Sequence, residues 1–119
     1  MPHGEMPWVR DGRLLNSDNQ RIVVDTPAWF SWLATVSSFC YSSQRSSVRL
    51  TVRQEKRGSN LYWYGYSKID SKLHNVYLGK RQNLDQVRLE EACQEIHQRA
   101  RERRSLATTV HGFIVTRNR

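Results

Sequence analysis

No apolar run of about 18 residues occurs anywhere in the chain, so no membrane-spanning helix is expected. Residues Met1 to Glu5 have neither a basic n-region nor an apolar h-region, so no secretory leader is expected either. Cysteine is scarce. Cys40 and Cys93 lie far apart in unlike contexts, which suits buried thiols in a reduced compartment better than a disulfide framework, and a cytoplasmic location is expected. His3, His74, His97 and His111 show no metal-ligand spacing with one another or with the cysteines, so no metal is expected. The chain lacks a glycine-rich phosphate loop, an HExxH and a GxSxG, and no carboxylate pair stands out. These absences imply no cofactor and point away from an enzyme. Repeats, low-complexity tracts and linkers are missing too, so 119 residues read as one domain with a moderate core.

What the chain does contain is positive charge. The formal net charge is +8, and it is unevenly placed. Residues 1–42 carry net −1, residues 43–81 carry net +7, residues 82–104 are neutral, and 105–119 add +2. Such focusing on one stretch is the electrostatic footprint of a polyanion site. Of the 19 basic residues 15 are Arg, the side chain that grips phosphate and guanine edges with two parallel donors.

The same basic stretch holds the densest run of rings, "LYWYGYSKIDSKLHNVYLGK" at 61–80, with Tyr62, Trp63, Tyr64 and Tyr66 within five positions. In a strand successive side chains face opposite ways. The run therefore splits into Tyr62, Tyr64, Tyr66 and Lys68 on one side and Leu61, Trp63, Gly65 and Ser67 on the other. The pairing of Trp63 with Gly65 suits a helix lying close to the sheet. The polar-tipped set is assigned to an open face. Upstream, "SVRLTVRQ" (47–54) alternates in the same way, with Val48, Leu50 and Val52 inward and Arg49, Thr51 and Arg53 outward. "KLHNVYLG" (72–79) leaves its facing open: Lys72 and His74 go with Val76 and Leu78, and Leu73, Asn75 and Tyr77 go together.

The flanking elements follow from turn and cap signals. Asp11-Gly12 predicts a tight hairpin, "NSDNQ" (16–20) a turn, and "RIVVD" (21–25) a strand. Thr26-Pro27 opens a short helix in "AWFSWLATVSS", burying Trp29, Trp32, Leu33 and Val36. "FCY" (39–41) reads as a strand and 56–60 as a basic loop. "NLDQVRLEEACQEIHQRARERR" (83–104) predicts a long helix capped by Asn83. Its apolar stripe is Leu84, Leu89, Ala92, Cys93, Ile96 and Ala100, and Glu90, Glu91, Glu95, Gln98 and Arg99 form a solvated face. The fold expected is α+β: an antiparallel sheet of three or more strands, a long C-terminal helix on one face, and a short N-terminal Trp-rich helix. A single basic domain over 1–104, with its sheet–helix centre at about 39–104, would precede a tail or added strand at 105–119.

From "TPAWFSWL…SSFCY…VRLTVRQEKRGSNLYWYGYSKIDSKLHNVYLGKRQNLDQVRLEEA" the chain resembles a module of bacterial transcriptional regulators. That module precedes the ATPase and helix-turn-helix parts of MalT/LuxR-type proteins and also occurs alone. The similarity runs from about Thr26 to Ala92. Tyr62, Trp63, Tyr64 and Tyr66 stand where its aromatics stand, and Lys72, Tyr77, Leu78 and Gly79 match its third strand. Asn75, Val76 and Ser67 depart from it, replacing basic residues. The order of elements is also similar to the three-stranded-sheet DNA-binding domains of integrase arm-type and ethylene-response-factor-type proteins.

The expected function is non-enzymatic DNA binding, as a small transcription regulator or mobile-element accessory factor. Arg49, Thr51, Arg53, Tyr62, Tyr64, Tyr66 and Lys68 would enter a groove, Lys56, Arg57, Lys72, Lys80 and Arg81 would hold phosphates from the loops, and His74 joins the same nucleic-acid-binding set. Double-stranded DNA is the first partner, RNA the second, with a homodimer or a larger protein partner alongside and no membrane. Two rivals stand beside it: a protein-interaction adaptor in a nucleoprotein complex, and a RelE-like RNA-cleaving toxin.

Overall fold

The computed structural model describes residues 6–15 and 21–112, with the backbone alone for 107–112; the turn expected at 16–20 lies outside the described residues. Seven strands form one sheet: β1 (Trp8–Arg10), β2 (Arg13–Leu15), β3 (Arg21–Val23), β4 (Ser38–Ser42), β5 (Arg49–Arg57), β6 (Asn60–Ile69) and β7 (Lys72–Gly79). Their order across the sheet is β3-β2-β1-β4-β5-β6-β7. Every pairing is antiparallel except β1 with β4, which is parallel. The short helix α1 (Pro27–Leu33) lies between β3 and β4 in the chain, and the long helix α2 (Gln86–Gly112) follows β7.

Local chemistry explains the turns. Asp11 and Gly12 both take positive φ (54° and 74°), which a two-residue hairpin needs so that its twist matches the strands. Between β5 and β6, Gly58 takes φ +64. Here the sequence expectation needs correcting. The basic loop at 56–60 is strand almost throughout, because Arg57 pairs with Asn60 and only Gly58-Ser59 turns. The β6–β7 turn uses Asp70 (φ 53) and Ser71 (φ 67), neither of them glycine. A left-handed residue with a Cβ costs about 1–2 kcal/mol. Ser71→Gly is therefore expected to stabilise the fold by about 0.5–1 kcal/mol, read as a higher denaturation midpoint at unchanged slope.

One face of the sheet carries the core. Val9, Leu14, Phe39, Tyr41, Leu50, Val52, Trp63, Val76 and Leu78 point inward from the strands. They join Trp29, Trp32 and Leu33 of α1 and Leu89, Ala92, Cys93 and Ile96 of α2 in one buried cluster. The rings of Trp29, Trp32, Phe39 and Trp63 lie 5.5–5.8 Å apart, centroid to centroid, as a continuous aromatic seam. Gly65 is indeed on this side. The space above it is filled by Leu50 and Leu78 side chains, 3.4–3.5 Å from where a Cβ would stand, rather than by helix backbone.

Thr26 caps α1, its side chain accepting from Trp29 N, with proline in the first turn. The start of α2 differs from expectation. Residues Arg81–Asn83 form a 3-10 turn closed by Asn83, whose Oδ1 accepts from Lys80 N at 2.9 Å. Asp85 is the residue that caps α2, accepting from Arg88 N at 2.8 Å, and Asp25 accepts from Gln86 N at 2.8 Å. Two carboxylates thus meet the positive end of the helix dipole. The helix also runs past 104 to Gly112, so the first part of the expected tail is helical, and 113–119 lies outside the described residues.

The supposedly solvated face of α2 is partly engaged. Glu90 accepts from the hydroxyls of Tyr41 (2.5 Å) and Ser43 (3.0 Å) and from Gln44 N (2.8 Å), fastening the β4–β5 loop to the helix. Burial and this carboxylate hold the Tyr41 phenol far above its ordinary pKa, so it stays a donor. Arg88 and Arg99 reach the edge strand β7, donating to the carbonyls of Tyr77 and Asn75, the latter at 2.6 Å.

Candidate nucleic-acid interface

The opposite face of the sheet is covered by no other element among the described residues. Cross-strand register arranges its side chains in rows. Cys40, Thr51, Tyr66 and Asn75 stand side by side, as do Ser38, Arg53, Tyr64 and Tyr77. Arg49 pairs with Ser42, Glu55 with Tyr62, and Lys68 with Leu73. Arg49, Thr51, Arg53, Tyr62, Tyr64, Tyr66 and Lys68 accordingly share this face, each half-buried or exposed. Strict alternation in two long strands produces the arrangement.

The cations rest on the rings. Arg53 lies 5.8 Å from the Tyr66 centroid, Arg57 lies 5.1 Å from Tyr64, and Lys80 lies 6.0 Å from Tyr62. Tyr77 packs against Tyr62 and Tyr64 at 5.9 and 5.5 Å. A guanidinium over an aromatic face keeps its charge while losing rotamer freedom, so it meets a phosphate partly pre-ordered. Each ring also offers a flat surface on which a base or sugar can stack.

Several residues of this face were not legible from the sequence. Trp8 stands beside Cys40 in the parallel β1–β4 pair, on the open face, with its Nε1 donating to Ser42 at 2.7 Å. Its ring lies between Arg10 (4.7 Å) and Arg49 (5.2 Å). Arg13 pairs with Arg10 across the hairpin, so the N-terminal strands extend the basic surface sideways. The signal available was the alternation Trp8, Arg10 against Val9 beside Asp11-Gly12. Glu55 is the other. It is the only acid in any described strand, and it accepts from the Tyr66 hydroxyl and pairs with Arg57 at 2.7 Å. That bond, with partial burial, raises the Tyr66 phenol above its ordinary pKa.

Other expected site residues fall elsewhere. Lys56 shares the side of Val52 and Gln54, beyond the end of the core. Lys72 and His74 belong to the helix-covered side with Val76 and Leu78. His74 is 6% exposed, so it is withdrawn from the open face, where Leu73, Asn75 and Tyr77 stand in its place. Arg81 is exposed in the 3-10 turn next to Lys80. Both thiols are free: burial pushes Cys93 up to about 12, and Cys40 is raised by its own burial, so neither is an activated nucleophile. Among the described residues no three His, Cys, Asp or Glu are grouped as a metal site. No helix is long and apolar enough to cross a membrane.

No protein-family model matches the chain, and neither a curated protein nor a solved structure matches it.

Proposed function

We propose that the protein binds duplex DNA through the uncovered face of its sheet, without catalysing a reaction on it. The observation carrying this is the composition of that face. Arg10, Arg13, Arg49, Arg53, Arg57 and Lys68, with Lys80 at its margin, stand against the single carboxylate of Glu55, interleaved with Trp8 and four tyrosines. Size is consistent with a duplex. Seven strands about 4.8 Å apart make a face roughly 29 Å across, close to the ~34 Å of one DNA turn. A groove about 12 Å wide admits the β5–β6 pair as a ribbon, leaving the β1–β2 hairpin to reach backbone phosphates. The resemblance of residues 26–92 to a regulator module supports DNA over RNA as the ligand, and a role as a small transcription regulator or mobile-element accessory factor.

The test is a gel-shift titration of duplex DNA, single-stranded DNA and RNA at two salt concentrations. The duplex should bind most tightly, and its affinity should fall steeply with salt, by about 0.9 log unit per log unit of salt for every phosphate neutralised. Binding to none of the three would overturn the proposal and leave a protein adaptor as the better description. Glu55→Gln supplies a test of sign. Removing the one opposing charge is expected to raise duplex affinity several-fold at low salt and much less at high salt. A protein partner of basic character would respond the other way.

A further inference from the structure

A second basic cluster lies on the helix side, in a groove of about 920 Å³ between the start of β7 and the outer half of α2. Lys72 enters from the strand, and Arg99, Arg103 and Arg104 from the helix; Asp70 and Glu102 also line it. Two of the four cations are committed: Arg99 to Asn75 O and Glu95, and Arg104 to Asp70 at 2.7 Å. Glu102 accepts from Gln98 at 3.2 Å. The side chains of Lys72 and Arg103 have no hydrogen-bond or ion-pair partner among the described residues.

His74 forms part of the wall. It is 6% exposed, and its Nε2 is buried with no hydrogen-bond partner. A buried polar nitrogen without a partner is rare in a folded chain and calls for an explanation. Like charges brought together from two elements repel, and an anion between them removes that repulsion.

We propose that this groove is a phosphate-binding site, with Lys72 and Arg103 as the gripping cations and Arg99 and Arg104 as fixed flanking charge. It does not depend on the open face, and it takes a phosphate group whether free or part of a nucleic-acid backbone. His74 reports its occupancy. Burial first, then Arg99, Lys72 and Arg103, hold the imidazole below its usual pKa, so it is neutral at pH 7 in the empty groove. A bound anion opposes the three cations and favours the imidazolium. Binding therefore takes up a proton and tightens as pH falls through the ordinary histidine range.

The experiment follows the His74 ring signals by NMR between pH 5 and 8, with and without inorganic pyrophosphate, and separately with a short DNA duplex. His97, outside this groove, is the internal reference. The expected result is an upward move of the His74 midpoint by about one unit. Lys72→Ala/Arg103→Ala should abolish that move and weaken pyrophosphate binding at least tenfold, with the spectrum otherwise folded. Movement with pyrophosphate identifies free phosphate compounds as ligands, and movement with duplex alone identifies the nucleic-acid backbone. No movement with either, or the same movement in the double variant, overturns the site. Loss of gel-shift binding in open-face variants leaves the pyrophosphate arm readable, so the two failures are separable.

Discussion

Trp29→Ala is expected to leave the chain mostly unfolded at 25 °C, the largest single effect anywhere in the core. The side chain is fully buried, stacks on Trp32 at 5.5 Å and meets Phe39 edge-on at 5.5 Å. Its Nε1 donates to the buried carbonyl of Leu84 at 2.7 Å, tying α1 to the entrance of α2. Truncation to alanine opens a ring-sized cavity costing about 3–5 kcal/mol. The abandoned carbonyl adds about 1–3 kcal/mol. Together these approach the whole stability of a small domain, about 5–15 kcal/mol. Trp29→Phe separates the parts, since it keeps most of the ring and removes the donor; an intermediate loss of about 1–3 kcal/mol is expected. Urea denaturation followed by circular dichroism measures both. A loss under about 2 kcal/mol for the alanine variant would show that α1 does not anchor the core.

The second large effect concerns binding. Arg49→Ala/Arg53→Ala should weaken duplex DNA binding by about 2–6 kcal/mol, or roughly 30-fold to more than 10⁴-fold. Both side chains are exposed and rest on rings, Arg49 on Trp8 and Arg53 on Tyr66, so the fold should survive their removal. The manner of the loss carries further information. If both contact phosphates, affinity falls equally on every sequence and the salt slope drops by about 2; if they read base edges, discrimination relaxes instead. Replacement by lysine keeps the charge and loses the two-pronged donor geometry, so it should recover only part of the affinity. An unchanged titration in the alanine variant would remove the open face from consideration.

The parts of the fold that could be read in advance are those governed by neighbours in sequence. Alternation separated Trp63 and Gly65 from the three tyrosines, and the same rule placed Arg49, Thr51 and Arg53 with them. Asp11-Gly12 announced its hairpin through backbone conformation alone. What escaped depends on partners distant in the chain. Trp8 joins the open face only because β1 pairs in parallel with β4, a contact between residues 32 positions apart that a three-residue strand does not advertise. Glu90 looked solvated on a helical wheel, and its three donors come from the β4–β5 segment. Asn83 and Asp85 are both competent caps, and the 3-10 turn decided between them by using Asn83 for itself. His74 was undecidable because β7 holds a polar residue on each side of its alternation, and the packing of Val76 and Leu78 settled it.

The two arginines bound to β7 also set how this molecule can associate with itself. A sheet behaves as an open-ended chain that grows by adding strands at whichever edge has free backbone groups. Arg88 and Arg99 occupy carbonyls of Tyr77 and Asn75 on one edge, so a strand adding there would have to displace them. The other edge is β3, three residues long, and among the described residues no such clasp reaches it. If copies of the chain add strand to strand, β3 is the edge expected to pair, and an assembly built on that edge alone closes at two copies.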